Sequence, residues 1–239
     1  MMKLDILAFG AHPDDVELGC AGTLAKEVAL GKKVGIIDLT QGELGTRGSK
    51  ELRAEEAKQA QEILGVVIRE NLKMRDGFFI NNENHQLQII EKIRKYQPEI
   101  VLCNAKEDRH IDHAKGSKLV SDACFLSGLQ KIETSCNGEL QKPWRPKAVY
   151  HYIQWKNIEP DVVVDISEFI DIKMKAVMAY SSQFYNPNSN EPQTPIATQN
   201  FLESIKYRAQ DLGRIIHTNY AEGFTAERYV AVNRITDLI

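Results

Sequence analysis

No apolar run in this sequence approaches the roughly 18 residues that a membrane-spanning helix needs, and neither sign of charge dominates. The chain carries 30 Lys and Arg against 33 Asp and Glu, a formal net charge of −3 over 239 residues. That balance offers no basic footprint for nucleic acid and no cationic face for anionic lipid. Cysteine is scarce. Cys20, Cys103, Cys124 and Cys136 are scattered without a CxxC pair, which reads as buried free thiols in a reducing cytoplasm rather than a disulfide framework. The N-terminal MMKLDILAFGAH is broken by Asp5 and has no signal-peptide pattern. The expectation is a cytoplasmic protein that meets neither membrane nor nucleic acid. What remains is ordinary globular composition, 43% hydrophobic and 26% charged, enough for a sizeable core. No repeat or linker divides the chain, so residues 1–239 are expected to form one domain.

Along the first half, short apolar runs alternate with helical patterns. Residues 4–10 (LDILAFG) and 34–40 (VGIIDLT) read as buried strands, 66–74 as a weaker strand and 99–104 (EIVLCN) as a fourth. Between and after them, residues 19–32, 50–65, 85–96 and 112–126 carry helical periodicity. Such alternation predicts an α/β fold, a Rossmann-like, doubly wound, mostly parallel sheet with helices on both faces. In the second half, residues 148–154 and 161–167 read as further strands, and residues 169–180 and 200–217 as helices. RYVAVNRI near the end reads as a returning strand. The segment 186–193, dense in Asn, Pro and Ser, cannot be regular structure and is expected to act as a lid.

In an open parallel sheet, ligands bind at the carboxyl ends of the strands. After the first predicted strand come His12, Asp14 and Asp15. Gln41, Gly42, Glu43 and Arg47 follow the second, with Arg53 one turn into the next helix. Arg75 and Asp76 follow the third. The fourth is followed by KEDRHIDH, with Arg109, His110, Asp112 and His113. Every polar cluster falls on one rim. His12, one of Asp14 or Asp15, and one histidine of HIDH would make a three-ligand site for zinc with a position open to water. A divalent charge would also offset the repulsion within HPDD. The carboxylate left over is a candidate general base, and the spare histidine, oriented by Asp112, a candidate acid or oxyanion donor. Taken alone, HPDD is equally well a turn with Asp capping a helix, and Arg53 a partner for Glu55 or Glu56 on a helix face. The loop QGELGTRG matches neither glycine-rich phosphate motif.

At AHPDDVELG together with RHIDH, the sequence resembles the LmbE/PIG-L family of zinc-dependent N-acetylglucosaminide deacetylases. The resemblance extends to the QGELGTRG loop, LRAEEA around Arg53, SSQFY from Ser181, TPIA at Thr194 and YAEGF from Tyr220. The later segments are most similar to the bacillithiol-biosynthesis subgroup, which deacetylates N-acetylglucosaminyl-malate. The resemblance implies that His12, Asp15 and His113 ligate zinc and that Asp14 is the general base. It implies that His110 stabilises the tetrahedral intermediate with Asp112 as its partner, and that Arg53 binds the sugar. Arg109 is added as the candidate for the malate carboxylates, because a guanidinium grips a carboxylate bidentately. His₂Asp ligation also suits Fe2+ or Co2+. The expected partner is a small-molecule glycoside, and relatives imply a homo-oligomer, with a hexamer as one form. Two other readings stand beside this one: hydrolysis of another amide conjugate, mycothiol-like or an N-acetylchitooligosaccharide, and a non-catalytic sugar- or nucleotide-binding module.

Overall fold

A computed structural model describes residues 2–238. Strands β1 (Ile6–Gly10), β2 (Val34–Thr40), β3 (Ile68–Met74) and β4 (Ile100–Cys103) alternate with helices α1 (Asp15–Ala29), α2 (Lys50–Leu64), α3 (Glu83–Tyr96) and α4 (Ile111–Leu126). A two-residue-per-strand ribbon follows, β5 (Ser135–Cys136) with β6 (Glu139–Leu140). Then come β7 (Ala148–Tyr152), β8 (Val162–Asp165), α5 (Ile170–Met178), α6 (Gln199–Ile215) and β9 (Ala221–Ala226). The main sheet has seven strands in the order β3-β2-β1-β4-β7-β9-β8. The first five pair in parallel, whereas β9 runs antiparallel to both β7 and β8. The expected α/β architecture is therefore the observed one.

Alternation along β1 explains the two cores. Leu7 and Phe9 point into an apolar layer with Ile37, Leu39, Ile93 and Leu119 beneath α3 and α4. Ile6 and Ala8 point the other way, into a layer with Val16, Leu24, Ile36 and Tyr152 beneath α1. Strands covered on both faces need apolar residues at consecutive positions, which is why β1 and β2 are buried throughout. Gly19 lets α1 lie against Tyr152, whose ring occupies the space that a Cβ there would need.

Two expectations fail. The stretch Arg228–Ile235 is not a strand; the last strand is Ala221–Ala226, upstream of it, and a short 3₁₀ turn at Ile235–Asp237 follows. The apolar alternation of RYVAV faces solvent, with Tyr229 almost wholly exposed. The first helix also begins earlier than residue 19. It starts at Asp15, directly behind the HPDD turn, and breaks at Cys20 (φ −146°, ψ 16°).

That break frees backbone groups inside the protein, where they must find partners. Glu222 on β9 accepts from Gly22 N–H (3.0 Å) and Thr23 N–H (2.7 Å), and Lys173 of α5 donates to the Leu18 carbonyl (2.8 Å). Lys173 and Glu222 in turn pair at 2.6 Å, both almost fully buried. Elsewhere Ser182 and Ser181 of the SSQFY segment donate to Glu56 on α2, which ties the end of α5 to that helix.

Candidate active site

Strand order reverses at β1, with β2 on one side and β4 on the other, and such a switch point opens a crevice at the carboxyl ends of the strands. The HPDD turn leaves β1 there, and the RHIDH segment leaves β4 beside it. A cavity of 760 Å³ occupies the crevice. It is lined by His12, Asp14, Asp15, Arg53, Asp76, Arg109, His110 and His113 and extends towards α6 and β9.

Three imidazoles converge in it. Ring centroids lie 4.7 Å apart for His12 and His110, 5.1 Å for His110 and His113, and 5.7 Å for His12 and His113. Ligand-capable nitrogens of all three lie within 4.8 Å of one another. Asp15 bridges two of them: Oδ2 is 3.4 Å from His12 Nδ1, and Oδ1 is 3.0 Å from His113 Nε2. The opposite nitrogen of each ring is anchored on a carboxylate. His12 Nε2 meets Asp76 (3.0 Å) and Asp112 (3.5 Å), and His113 Nδ1 meets Asp108 (2.6 Å). An ionised carboxylate only accepts, so those anchored nitrogens carry the hydrogens. Each ring thus turns its other nitrogen to Asp15, the arrangement that outer carboxylates impose on metal-binding histidines.

Asp15 is further fixed by His12 N–H (2.9 Å), Asn104 (3.0 Å) and Gln154 (2.9 Å). Burial opposes its ionisation, but His113 and His12 hold its carboxyl well below the usual range. Burial likewise disfavours the charged rings, yet Asp15 and Asp108 lift His113 to about 9, and Asp112, Asp15 and Asp76 lift His12 well above its ordinary value. Both nitrogens of each ring therefore face carboxylates, and a divalent cation at Asp15 would take the place of those protons. Asp14, Asp15, Asp76, Asp108 and Asp112 all have side chains at least nine-tenths buried. Five such acids around three imidazoles fit a bound cation.

Asp14 occupies the N-cap position of α1, but its side chain caps nothing. Its φ of 121° is one that side chains rarely adopt, a strain of roughly 1–3 kcal/mol. Arg53 holds it there, with Nη1 at 3.4 Å from Oδ2 and 3.0 Å from the Pro13 carbonyl. Gly42, at φ 64°, leaves room for that guanidinium, because a Cβ would come within 2.9 Å of Nη1. Burial pushes the Asp14 carboxyl up to about 7 against the opposing pull of Arg53. Arg53 thus points into the site and does not pair along its own helix.

His110 caps α4, its Nδ1 accepting from Asp112 N–H at 3.3 Å. Burial, then the neighbouring His12 and His113, lower its pKa. The expected carboxylate–imidazole pair between Asp112 and His110 is not formed. Residues two apart at a helix start project in different directions, and the Asp112 carboxylate instead accepts from Gly77 N–H (2.7 Å) and Lys115 (2.8 Å) beside His12. Arg109 lies with its guanidinium 4.5 Å from the centre of the Trp155 ring.

A family model described as GlcNAc-PI de-N-acetylase, PIG-L, matches residues 7–124. The diacetylchitobiose deacetylase of Thermococcus kodakarensis is 32% identical over 189 residues, covering 75% of this chain and 70% of that protein. The chain belongs to the PIG-L family. A conserved protein of Thermus thermophilus, TT1542, has a structure of TM-score 0.86 at 34% identity, over 97% of this chain and 98% of that one. The N,N'-diacetylchitobiose deacetylase of Pyrococcus horikoshii, complexed with its inhibitor MPG, shares the fold with TM-score 0.79 at 24% identity, over 98% and 88% of the two chains.

Membership of the PIG-L family makes the protein a deacetylase of that type. Most rim residues named from the sequence line the cavity, but Gln41, Glu43, Arg47, Arg75 and Asp112 do not. Arg75 packs over Phe78, Glu43 accepts from Asp76 N–H, and Arg47 is drawn to Glu191 and Ser189 of the 186–193 segment. Asp108, Asn104 and Gln154, which support His113 and Asp15, lie outside the residues predicted from the motifs. Asn104 and Gln154 closely follow the ends of β4 and β7, and the carboxyl-end rule, applied to every polar residue there, finds them. Among the described residues no helix is long and apolar enough to cross a membrane.

Proposed function

We propose that this PIG-L family protein removes the acetyl group from an N-acetylglucosamine conjugate, with N-acetylglucosaminyl-malate as substrate. The observation that carries the chemistry is Asp14, a strained, buried carboxyl poised at about 7 beside the His12–Asp15–His113 set. His12, Asp15 and His113 would hold the metal, zinc by the chemistry of the donors, leaving His110 outside the ligand set. A carboxylate that spans both rings supplies the negative charge that a third imidazole lacks. Bound there, the cation supplies a Lewis acid for the amide carbonyl and lowers the pKa of water.

The chain's own groups do the rest. Asp14 accepts the proton of the attacking water, and a carboxyl near neutrality both takes and returns a proton readily. The same proton passes to the departing amine, so the products are acetate and the free glucosamine conjugate. His110 keeps its hydrogen on Nε2, because Nδ1 is occupied as an acceptor; it donates to the carbonyl oxygen as charge develops there. Arg53 orients Asp14 and offers its remaining N–H groups to the sugar, and Arg109 meets the malate carboxylates. A second reading, an N-acetylchitooligosaccharide substrate, draws support from the Thermococcus relative's name.

Acetate release from N-acetylglucosaminyl-malate, N-acetylglucosaminyl-inositol, diacetylchitobiose and free N-acetylglucosamine separates these substrates. Asp14→Asn should keep its metal and lose turnover by a factor of about 10²–10⁴, and near-native turnover would refute the base. His113→Ala should lose metal; full metal content by elemental analysis would refute the ligand set.

A further inference from the structure

Two arginines reach one end of the cavity without a carboxylate to answer them. Arg109, from the RHIDH segment, lies over the Trp155 ring. Arg208, from α6, donates to the Trp155 main-chain carbonyl and lines the same cavity. The acid whose charge reaches Arg208 is Asp108, and that carboxylate is fully engaged. Its Oδ2 is held by His113 (2.6 Å) and Trp155 N–H (3.4 Å), and its Oδ1 by Arg109 N–H (2.8 Å) and Lys156 N–H (3.0 Å). Trp155 is itself braced by stacking on Phe201 (5.4 Å, 18°). A half-buried guanidinium with one of its five donors used is costly unless something anionic completes it. Burial lowers the Arg208 pKa, as expected of a cation lacking a close counter-charge.

We infer that Arg208 and Arg109, both held against Trp155, form an anion subsite that selects substrates whose aglycone is negatively charged. The subsite rests on the deacetylase reading and adds a second determinant, α6, to it. Two guanidinium forks fit two carboxylates or a single phosphate, and the assay distinguishes the two.

The test compares kcat/KM for three N-acetylglucosaminides, with methyl, malyl and phosphate groups at the anomeric position, in the wild type, Arg208→Gln and Arg208→Lys. The wild type should prefer an anionic glycoside over the methyl one. Arg208→Gln should reduce the anionic-to-methyl ratio about 10–100-fold, the equivalent of one hydrogen bond to a charged group, with Arg208→Lys in between. A preference for malyl over phosphate identifies a carboxylate site, and the reverse a phosphate site. A ratio unchanged in Arg208→Gln, or a wild type that prefers the methyl glycoside, overturns the inference. Calorimetric titration with malate and with inorganic phosphate reads the subsite without turnover. Arg208-dependent binding in a protein that deacetylates nothing would support the subsite and refute the deacetylase reading. Turnover of the methyl glycoside with no binding of either anion would overturn the subsite alone.

Discussion

Replacing Asp14 by Asn should stabilise the metal-free protein while destroying its activity. Asn is isosteric with Asp and shares its tolerance of positive φ, so the backbone at φ 121° is kept and only the charge is lost. The carboxyl sits at about 7 in the folded chain against 3.8 for an ordinary Asp. That gap of about three, at 1.36 kcal/mol for each, amounts to a penalty on the order of 4 kcal/mol for the ionised form, in a side chain almost fully buried. The sign follows from linkage. Below 3.8 the group is neutral in both folded and unfolded chains and nothing is lost. As pH rises the unfolded chain ionises first, so stability falls, and the full penalty is present above about 7. Urea unfolding of chelator-treated wild type and Asp14→Asn should therefore show a difference near zero at pH 4 that grows to several kcal/mol at pH 8. A bound cation favours the carboxylate, so restoring metal should narrow the gap. Equal stability of the two proteins at pH 8, or a difference independent of pH, would refute the claim that burial dominates at Asp14.

Other outcomes follow from contacts already described. Asp76→Asn should weaken metal affinity about 10–100-fold, as loss of an outer carboxylate does, measured by competition with a chelating dye. Lys173→Met should cost about 3–5 kcal/mol by stranding Glu222, and the double variant Lys173→Met/Glu222→Gln should recover part of that loss in thermal unfolding. Glu191→Gln should release the 186–193 segment from Arg47; the pair is exposed on the Glu side and worth at most about 1 kcal/mol. Amide exchange there should rise by no more than about fivefold.

Much of the fold was legible because buried parallel strands must be continuously apolar. VGIIDLT occupies β2 over residues 34–40 as expected, and the interruption by polar turns set the rest. RYVAVNRI misled because alternation signals a strand only when one face is covered, and nothing covers Tyr229. In the site, the meeting of HPDD and RHIDH was legible from strand-end logic, but distances were needed to show that Asp15 spans two rings while Asp14 answers to Arg53. Glu17, in the first turn of α1, is fully buried. It pairs with Arg69, which also grips Asp38 at 2.8 and 2.9 Å, a contact between residues 52 apart in the chain that no local pattern announces. The Asp112 carboxylate was misassigned because the motif carries no information on side-chain direction.

The bond from Gly22 N–H to Glu222 joins positions 200 residues apart. During synthesis, the helix that starts at Asp15 is therefore left with open N–H groups until Glu222 has left the ribosome. A nascent chain halted after β8 would hold every proposed metal ligand yet lack the strand that completes their support. Metal capture should then wait for β9, and a chain cut short before that strand should hold metal less tightly than the full one.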